Sequence, residues 1–204
     1  MYCLVSGDRI TAYINEGSPF TLGDIQYPSD WLAKCAPDWP AANGLLTLVI
    51  TGDQTQDPFH QTEYADSVIN GVPTRTYTRT LKTQAACQSF LYGAVGTLRW
   101  QKETGPFTVS GITLTLDETT KSNLSGAIQL MDKDPSLTSI SWKVGPNTFV
   151  TLDKATLTAL GVAVGVYTQQ LFVANKTHCD AIAALTAAQC ATYDYTTGWP
   201  SNGA

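Results

Sequence analysis

Charged side chains are scarce in this sequence. Asp, Glu, Lys and Arg make up 14% of the 204 residues, where about a quarter is usual for a globular domain. Charged groups are costly to desolvate, so the cores of protein interfaces are depleted in them and rely on uncharged residues instead. The composition therefore favours a protein that is built into a larger assembly.

Clusters of basic residues are also lacking. The chain has 12 Lys and Arg against 17 Asp and Glu, a net charge of −5, and Lys143, Lys154 and Lys176 stand alone. Proteins that bind nucleic acids need a concentrated basic surface to displace the counterions of the phosphates. We therefore expect no nucleic-acid partner.

Signals for secretion and membrane insertion are not found. The first residues carry no basic segment, and Ser6 and Gly7 interrupt the first apolar run, so no signal peptide is expected. The longest apolar run, Leu160–Val166, is shorter than the roughly 20 residues that cross a bilayer, so no membrane insertion is expected. The five cysteines form no C-x-x-C pair, and in a chain made in a cytosol we expect free thiols.

Motifs for catalysis and cofactor binding are lacking as well. There is no phosphate-binding loop, dinucleotide glycine fingerprint, paired-histidine zinc motif or nucleophile elbow. His178 adjoins Cys179 on a predicted helix, but neighbouring helical residues point about 100° apart and cannot form a nucleophile–base contact. Asp53 and Asp57 could form an acid–base pair, yet no basic or desolvating residue adjoins them. We predict no catalytic residues, no metal site and no cofactor, and hence not an enzyme.

The first 80 residues are predicted to form a β-rich domain. The segments richest in β-branched and aromatic residues are Tyr2–Val5, Ile10–Ile14, Leu45–Ile50 and Thr74–Thr80. Thr51–Ile69 is predicted to be a polar loop. Trp31 and Trp39 adjoin prolines or turn residues, where they either pack the loops onto the β-domain or stack on the sugar rings of a receptor.

The remainder is predicted to combine helices with hairpins. Residues 81–104 are predicted to form a helix that bridges the two halves. Residues 105–204 then follow the order ββα–ββα, in which Asp117 and Asp153 are expected to cap the helices because a carboxylate accepts hydrogen bonds from the free amides of a first turn. The predicted fold class is α+β, with a long helix near the C-terminus.

This long helix carries an apolar seam. Its residues alternate by three and four positions, which is the coiled-coil spacing, and they are Leu157, Leu160, Val164, Tyr167, Leu171, Ala174, His178, Ala181 and Leu185. The seven residues from Leu157 to His178 are the candidate interface residues. In one interpretation this face packs only on the chain's own four-stranded sheet. In the other it also meets copies of itself around a symmetry axis, and we predict it on that basis as an oligomer interface. His178 is expected to be a satisfied core or interface residue in either case.

Several motifs of the C-terminal half occur in a recognisable order. Trp142 lies on a strand, Val150-Thr151-Leu152-Asp153 leads into the long helix, Ile182 lies near its end, and Gly198-Trp199-Pro200 closes the segment. From about residue 81 to 200 the sequence resembles a C-terminal domain of unknown function found in bacteriophage and prophage tail proteins. The N-terminal part resembles, more loosely, the variable first domains of the same proteins, through Tyr27-Pro28 and residues 68–76.

The resemblance implies a non-enzymatic structural component of a phage tail. Such a protein is an adaptor or decoration protein of the fibre or baseplate, located in the virion tail and made in the cytoplasm of the host bacterium. The alternatives are a tail-fibre assembly chaperone absent from the virion, and a receptor-binding tip protein that uses Trp31 and Trp39. The implied partners are other tail proteins and further copies of the chain, with a trimer favoured.

Overall fold

Helices make up 39% and strands 32% of the protein in the computed structural model, which describes residues 1–203. The chain divides into a first unit, Met1–Lys82, and a second unit that begins at Thr83. The first is rich in strands, and the second contains the long helix. The predicted α+β fold class is confirmed.

The first unit contains eight strands and two short helices. Strands β1 to β8 are, in chain order, Tyr2–Ser6, Arg9–Ile14, Phe20–Leu22, Ile25–Tyr27, Leu45–Thr47, Val49–Gly52, His60–Ile69 and Val72–Leu81. Helices α1 and α2 are Trp31–Lys34 and Trp39–Ala42. Antiparallel strands in the order β2-β1-β5 form one sheet, β3 and β4 form a hairpin, and β6-β8-β7 form a second three-stranded sheet in which β6 runs parallel to β8.

The hairpin of β7 and β8 corrects the sequence-based prediction. Residues 60–69 were expected in a polar loop, yet they pair along their whole length with β8, from His60 opposite Leu81 to Ile69 opposite Val72. Asn70 and Gly71 have φ values of 50° and 78°, the left-handed conformation that a tight two-residue hairpin turn requires. Most side chains of β7 are exposed, so the strand has no buried face to give its sequence an apolar alternation.

The second unit contains four helices and two hairpins within the described residues. Helices α3 to α6 are Gln84–Thr104, Glu118–Lys133, Lys154–Ala184 and Ala187–Cys190, and strands β9 to β12 are Pro106–Val109, Ile112–Thr115, Ser139–Gly145 and Thr148–Asp153. Asp117 and Asp153 accept hydrogen bonds from the amides of Thr120 and Thr156, so both predicted caps are confirmed. Helix α3, expected to bridge two halves, belongs to the second unit and packs against α5 and α6.

The two hairpins remain separate ladders. Hydrogen bonds join β9 only to β10 and β11 only to β12, so the expected four-stranded sheet is replaced by two two-stranded ones. Ser110 and Gly111, with φ values of 51° and 77°, form the turn of the first hairpin. The hairpins, α4 and α5 together enclose the apolar core, to which Phe107, Leu114, Leu152 and Met131 contribute.

Helix α5 is the longest element, with 31 residues. It is long and apolar enough to cross a membrane by length and composition, with a mean hydropathy of 1.4 over its most apolar window. Core helices of soluble proteins meet the same criterion, so the length and composition of α5 are by themselves weak evidence for a membrane span. At its C-terminal end, the Gln88 amide donates to the carbonyls of Ile182 and Leu185 at 3.0 Å each, where the last turn of the helix leaves carbonyls without their usual intrahelical partners.

Candidate functional site

The seam of α5 lies inside the chain's own core. All seven residues predicted as an oligomer interface are buried, with exposed fractions from 0% for Leu157 and Leu171 to 8% for Ala174. Tyr167 stacks on Phe107 with ring centroids 4.7 Å apart, and its hydroxyl donates to the carbonyl of Lys102 at 3.3 Å. These side chains have no free surface left for a second copy. The structure therefore assigns the seam to the core, which is the first of the two interpretations of its spacing.

The seam was predicted to continue to Leu185, but Ala181 and Leu185 are only half-buried and Ile182 is buried instead, so the buried seam ends at His178. His178 holds the C-terminal segment against α5. Its Nδ1 lies 2.7 Å from the hydroxyl of Tyr193, and its Nε2 lies 2.9 Å from the carbonyl oxygen of Thr197. The imidazole also stacks on Trp199, with ring centroids 5.2 Å apart. Gly198, at φ 77°, supplies the left-handed turn between these two contacts. We refer to His178, Tyr193, Thr197 and Trp199 as the C-terminal clasp.

The hydrogen bonds of the clasp fix its chemistry. A carbonyl oxygen only accepts, so Nε2 of His178 must carry a proton, and in the neutral imidazole Nδ1 then accepts from the hydroxyl of Tyr193. Burial raises the pKa of that hydroxyl, which keeps it protonated as the donor. Both ring nitrogens are therefore engaged in holding the chain together. The expectation that His178 is a satisfied core residue is confirmed.

The C-terminal segment continues past the clasp to the first hairpin of the second unit. The carbonyl of Asn202 accepts a hydrogen bond from the amide of Thr108 at 2.9 Å. Between this segment and α5 lies an open cleft of about 680 Å³. Its lining includes Gln169, Val173, Thr177 and Trp199. The cleft has no charged side chain in its lining and borders an exposed part of α5.

That exposed part forms a second series on α5, which we call the outward face. It consists of Ala159, Val162, Val166, Gln169 and Val173. The side chains of Val162, Val166 and Val173 are 61%, 51% and 58% exposed, which is unusual for three valines on one helix. The sequence analysis missed this face. Its signal is a second three–four spacing, shifted by two residues from the buried seam.

Trp31 and Trp39 are brought together in the first unit. Their ring centroids are 5.7 Å apart, and Tyr27 contacts both rings at 5.3 and 5.1 Å. Phe20 stacks on the other side of Tyr27 at 5.1 Å. All four rings are half-buried. Within residues 1–203, Nε1 of Trp31 is buried without a hydrogen-bond partner. The rings thus pack on one another and leave part of their edges accessible.

Ion pairs fasten the β7–β8 hairpin. Arg75 binds Asp66 through two hydrogen bonds of 2.8 Å, and its guanidinium lies 4.1 Å from the ring centroid of Tyr64. The hydrogen bonds from Arg75, together with one from Tyr13, lower the pKa of the Asp66 carboxyl against the opposing effect of burial. Asp66 and Arg75 are direct cross-strand partners, so the pair fixes the register of the hairpin.

Asp53 and Asp57 are brought together by a shared cation. Arg79 pairs with both carboxylates, at 3.3 Å for Asp53, and Nδ1 of His60 lies 2.9 Å from Asp57. Hydrogen bonds from Thr55 lower the pKa of Asp53, so this group is held as a carboxylate. A shared arginine favours two ionised groups, whereas an acid–base pair needs one protonated member. The arrangement fastens the loop before β7.

The arrangement of the His, Cys, Asp and Glu side chains bears on metal binding and on thiol reactivity. No group of three or more His, Cys, Asp or Glu side chains in residues 1–203 is arranged to hold a metal ion. The five cysteines form no disulfide with one another. Burial raises the pKa of Cys3 and Cys190, which disfavours the reactive thiolate at those positions.

Residues 87–197 match a protein family described as a domain of unknown function, DUF4376. The match covers more than half of the chain. The chain belongs to this family. The DUF4376 segment begins at Cys87 in α3 and ends at Thr197 in the clasp, so it contains both hairpins, α4, α5 and the partners of both ring nitrogens of His178. The outward face lies wholly within it.

Neither of the other comparisons finds a relative. No curated protein matches the chain, and no solved structure matches it.

The partners of His178 could not be found from the sequence, because Tyr193 and Thr197 lie in a segment without regular structure and therefore without periodicity.

Proposed function

We propose that this protein is a non-enzymatic structural component of a bacteriophage tail, an adaptor or decoration protein of the fibre or baseplate region. The observation that carries the proposal is the contrast between the buried and the exposed face of α5. One face of the helix builds the core, and the opposite face is exposed and carries no charged residue between Lys154 and Lys176. An exposed apolar face of this length is typical of a protein that functions through its contacts.

The tail context comes from the sequence resemblance between residues 81 and 200. The DUF4376 segment, residues 87–197, lies within that stretch. The family's description names no activity. We therefore propose, on the resemblance alone, that the protein is located in the virion tail and is synthesised in a host bacterium.

The side-chain chemistry supports a role without catalysis. The residues that most resemble catalytic groups are engaged in holding the fold: His178 through both ring nitrogens, and Asp53 and Asp57 through Arg79. Other tail proteins, fibre or baseplate subunits, are the proposed partners. The resemblance also implies further copies of the chain, with a trimer expected in the assembled tail.

Mass spectrometry of purified virions tests the proposal. We expect the chain at several copies per particle, quantified against the major capsid protein of the same preparation. A chain that is absent from clean virions but co-purifies with fibre subunits from infected cells is an assembly chaperone instead. Absence from both samples removes the tail context altogether.

A host-receptor-binding tip is a second candidate, favoured by the aromatic cluster of the first unit. Trp31 and Trp39 are half-buried, with ring centroids 5.7 Å apart, so a ligand that stacks on the accessible part of an aromatic ring suits the position. The double variant Trp31→Ala with Trp39→Ala should reduce adsorption of phage to cells. Phe149→Ala, which removes an exposed aromatic ring from the second unit, is the matched control. Unchanged adsorption by a folded double variant excludes this candidate.

A further inference from the structure

The outward face of α5 has the geometry of a helix–helix contact. Ala159, Val162, Val166, Gln169 and Val173 follow one another at intervals of three, four, three and four residues. Each lies two positions beyond a buried seam residue, which places the series about 200° around the helix from the core. Apolar residues at this spacing form a straight stripe that fits a second helix.

The composition of the stripe points to the kind of helix that covers it. Residues 155–175 contain no Asp, Glu, Lys or Arg, so a partner needs no complementary charge along this length. The side chains of the stripe are small or of medium size, which allows two helices to approach closely. The same surface on another copy of the chain meets these requirements, because it is equally uncharged and equally spaced.

We propose that the outward face of α5 is covered by the outward face of a second copy of this chain, with the two helices antiparallel. In this register Val162 faces Val173 of the other copy, and Val166 faces Gln169. Lys176 then faces Ala159, so its alkyl stem covers a small residue and its charge reaches water. A parallel pairing instead places Lys176 against Lys176, which brings like charges together.

The charge of the chain disfavours a lipid surface as the occupant. Only Lys154 and Lys176 bracket the face, and the chain carries a net charge of −5, whereas helices that bind anionic membranes have a lysine- and arginine-rich polar face. The opposite face of the same helix is buried in protein, with Leu157 and Leu171 fully enclosed. Lipid could therefore reach only one side of α5.

The size of the face sets the expected strength of the contact. The stripe from Ala159 to Lys176 is about 27 Å long, so one helix pair supplies an interface near the small end of the range of about 1,200–2,000 Å² for stable complexes. Phe172, which is 47% exposed on the flank, enlarges it. We therefore expect a dimer that dissociates on dilution. This inference does not rest on the tail assignment.

Light scattering and sedimentation of the full-length protein, between about 1 μM and about 1 mM, test the pairing. The native chain should shift from the mass of a monomer to twice that mass as the concentration rises. Val166→Asp should remain monomeric throughout, with an unchanged circular dichroism spectrum. Leu130→Asp is the matched control, because Leu130 is a 53% exposed aliphatic residue on α4, and it should dimerise like the native chain.

The results that overturn the proposal are equally definite. A native chain that stays monomeric to the highest concentration, a trimeric mass, or a folded Val166→Asp variant that still dimerises each contradicts it. A monomeric chain that floats with vesicles of phosphatidylethanolamine and phosphatidylglycerol shows that lipid, not a second copy, covers the face.

Disulfide cross-linking tests the antiparallel register separately. A mixture of Val162→Cys and Val173→Cys chains should form a mixed disulfide dimer under mild oxidation, because these positions face each other. Val162→Cys alone should cross-link no more than the native chain, whose own thiols provide the background. Efficient cross-linking of Val162→Cys with itself overturns the antiparallel register.

Discussion

His178 shows how a single buried side chain can position a whole segment. Its imidazole is 7% exposed and receives Tyr193 on one edge and Thr197 on the other, while Trp199 covers a ring face. The segment that follows α6 has little regular structure of its own. We infer that these contacts, with the hydrogen bond between Thr108 and Asn202, hold it against the unit.

Replacement of His178 by Ala should therefore free the C-terminal segment. We expect the free energy of unfolding to fall by about 2–4 kcal/mol, because two hydrogen bonds and a buried ring are lost together. Tyr193→Phe removes one hydrogen bond alone and should cost about 1 kcal/mol. Hydrogen exchange at the amides of residues 195–202 checks the mechanism. It should accelerate strongly in His178→Ala and much less in Tyr193→Phe, and equal protection in both variants contradicts the clasp.

Asp66 gives the first unit a predictable response to acid. The hydrogen bonds from Arg75 lower the pKa of this carboxyl in the folded state. The carboxylate therefore stabilises the fold at pH values above its unfolded-state pKa of about 4. This contribution is lost as the pH falls through the folded-state pKa. Asp66→Asn should lower the free energy of unfolding by about 1.5–3 kcal/mol at pH 7. The difference from the native protein should shrink as the pH falls from 7 towards 2. Denaturant unfolding at both pH values measures it, and a difference independent of pH rules out the ionic explanation.

At the scale of single elements, α5 combines two stripes that a helix usually does not carry together. A helix that is apolar on one side and charged on the other has a clear orientation, whereas one that is apolar all round is normally buried. Here the stripe from Leu157 to His178 is enclosed and the stripe from Ala159 to Val173 is open to solvent. The unusual feature is thus the absence of charge on the open side.

Alanine substitutions on the two stripes should separate their roles. Leu171→Ala removes a fully buried side chain and should destabilise the second unit by about 2–5 kcal/mol. Val162→Ala removes a mostly exposed one and should change stability in dilute solution by less than about 0.5 kcal/mol. Thermal denaturation at low concentration makes the comparison. Equal losses at the two positions are incompatible with the assignment of the seam to the core.

The sequence predicts these elements unevenly, for identifiable reasons. Both hairpin–helix repeats of the second unit could be located, because Asp117 and Asp153 mark the helix starts and α5 carries a long periodic stripe. The sequence could not show whether the seam is buried within its own chain or against a second copy, because both arrangements use the same spacing. Strand β7 was missed because an exposed strand has no apolar alternation to detect.

At the scale of the whole molecule, the two units differ greatly in their apolar cores. Six apolar residues of the first unit are buried: Cys3, Ile14, Pro40, Leu45, Leu48 and Pro73. The remaining buried apolar residues belong to the second unit, where α5 alone supplies seven. Small domains with little buried apolar surface are marginally stable. The first unit must therefore rely more on its ion pairs and aromatic contacts than the second.

The two units should consequently unfold in separate steps. In scanning calorimetry of the full-length protein we expect a lower transition from residues 1–82 and a higher one from residues 83–204. A fragment of residues 83–204 should fold alone, because its core, helix caps and clasp all lie within it, and its melting temperature should match the upper transition. Leu171→Ala should lower only the upper transition, and Asp66→Asn only the lower. A single transition that both substitutions shift equally, with an unfolded fragment, means that the units fold as one.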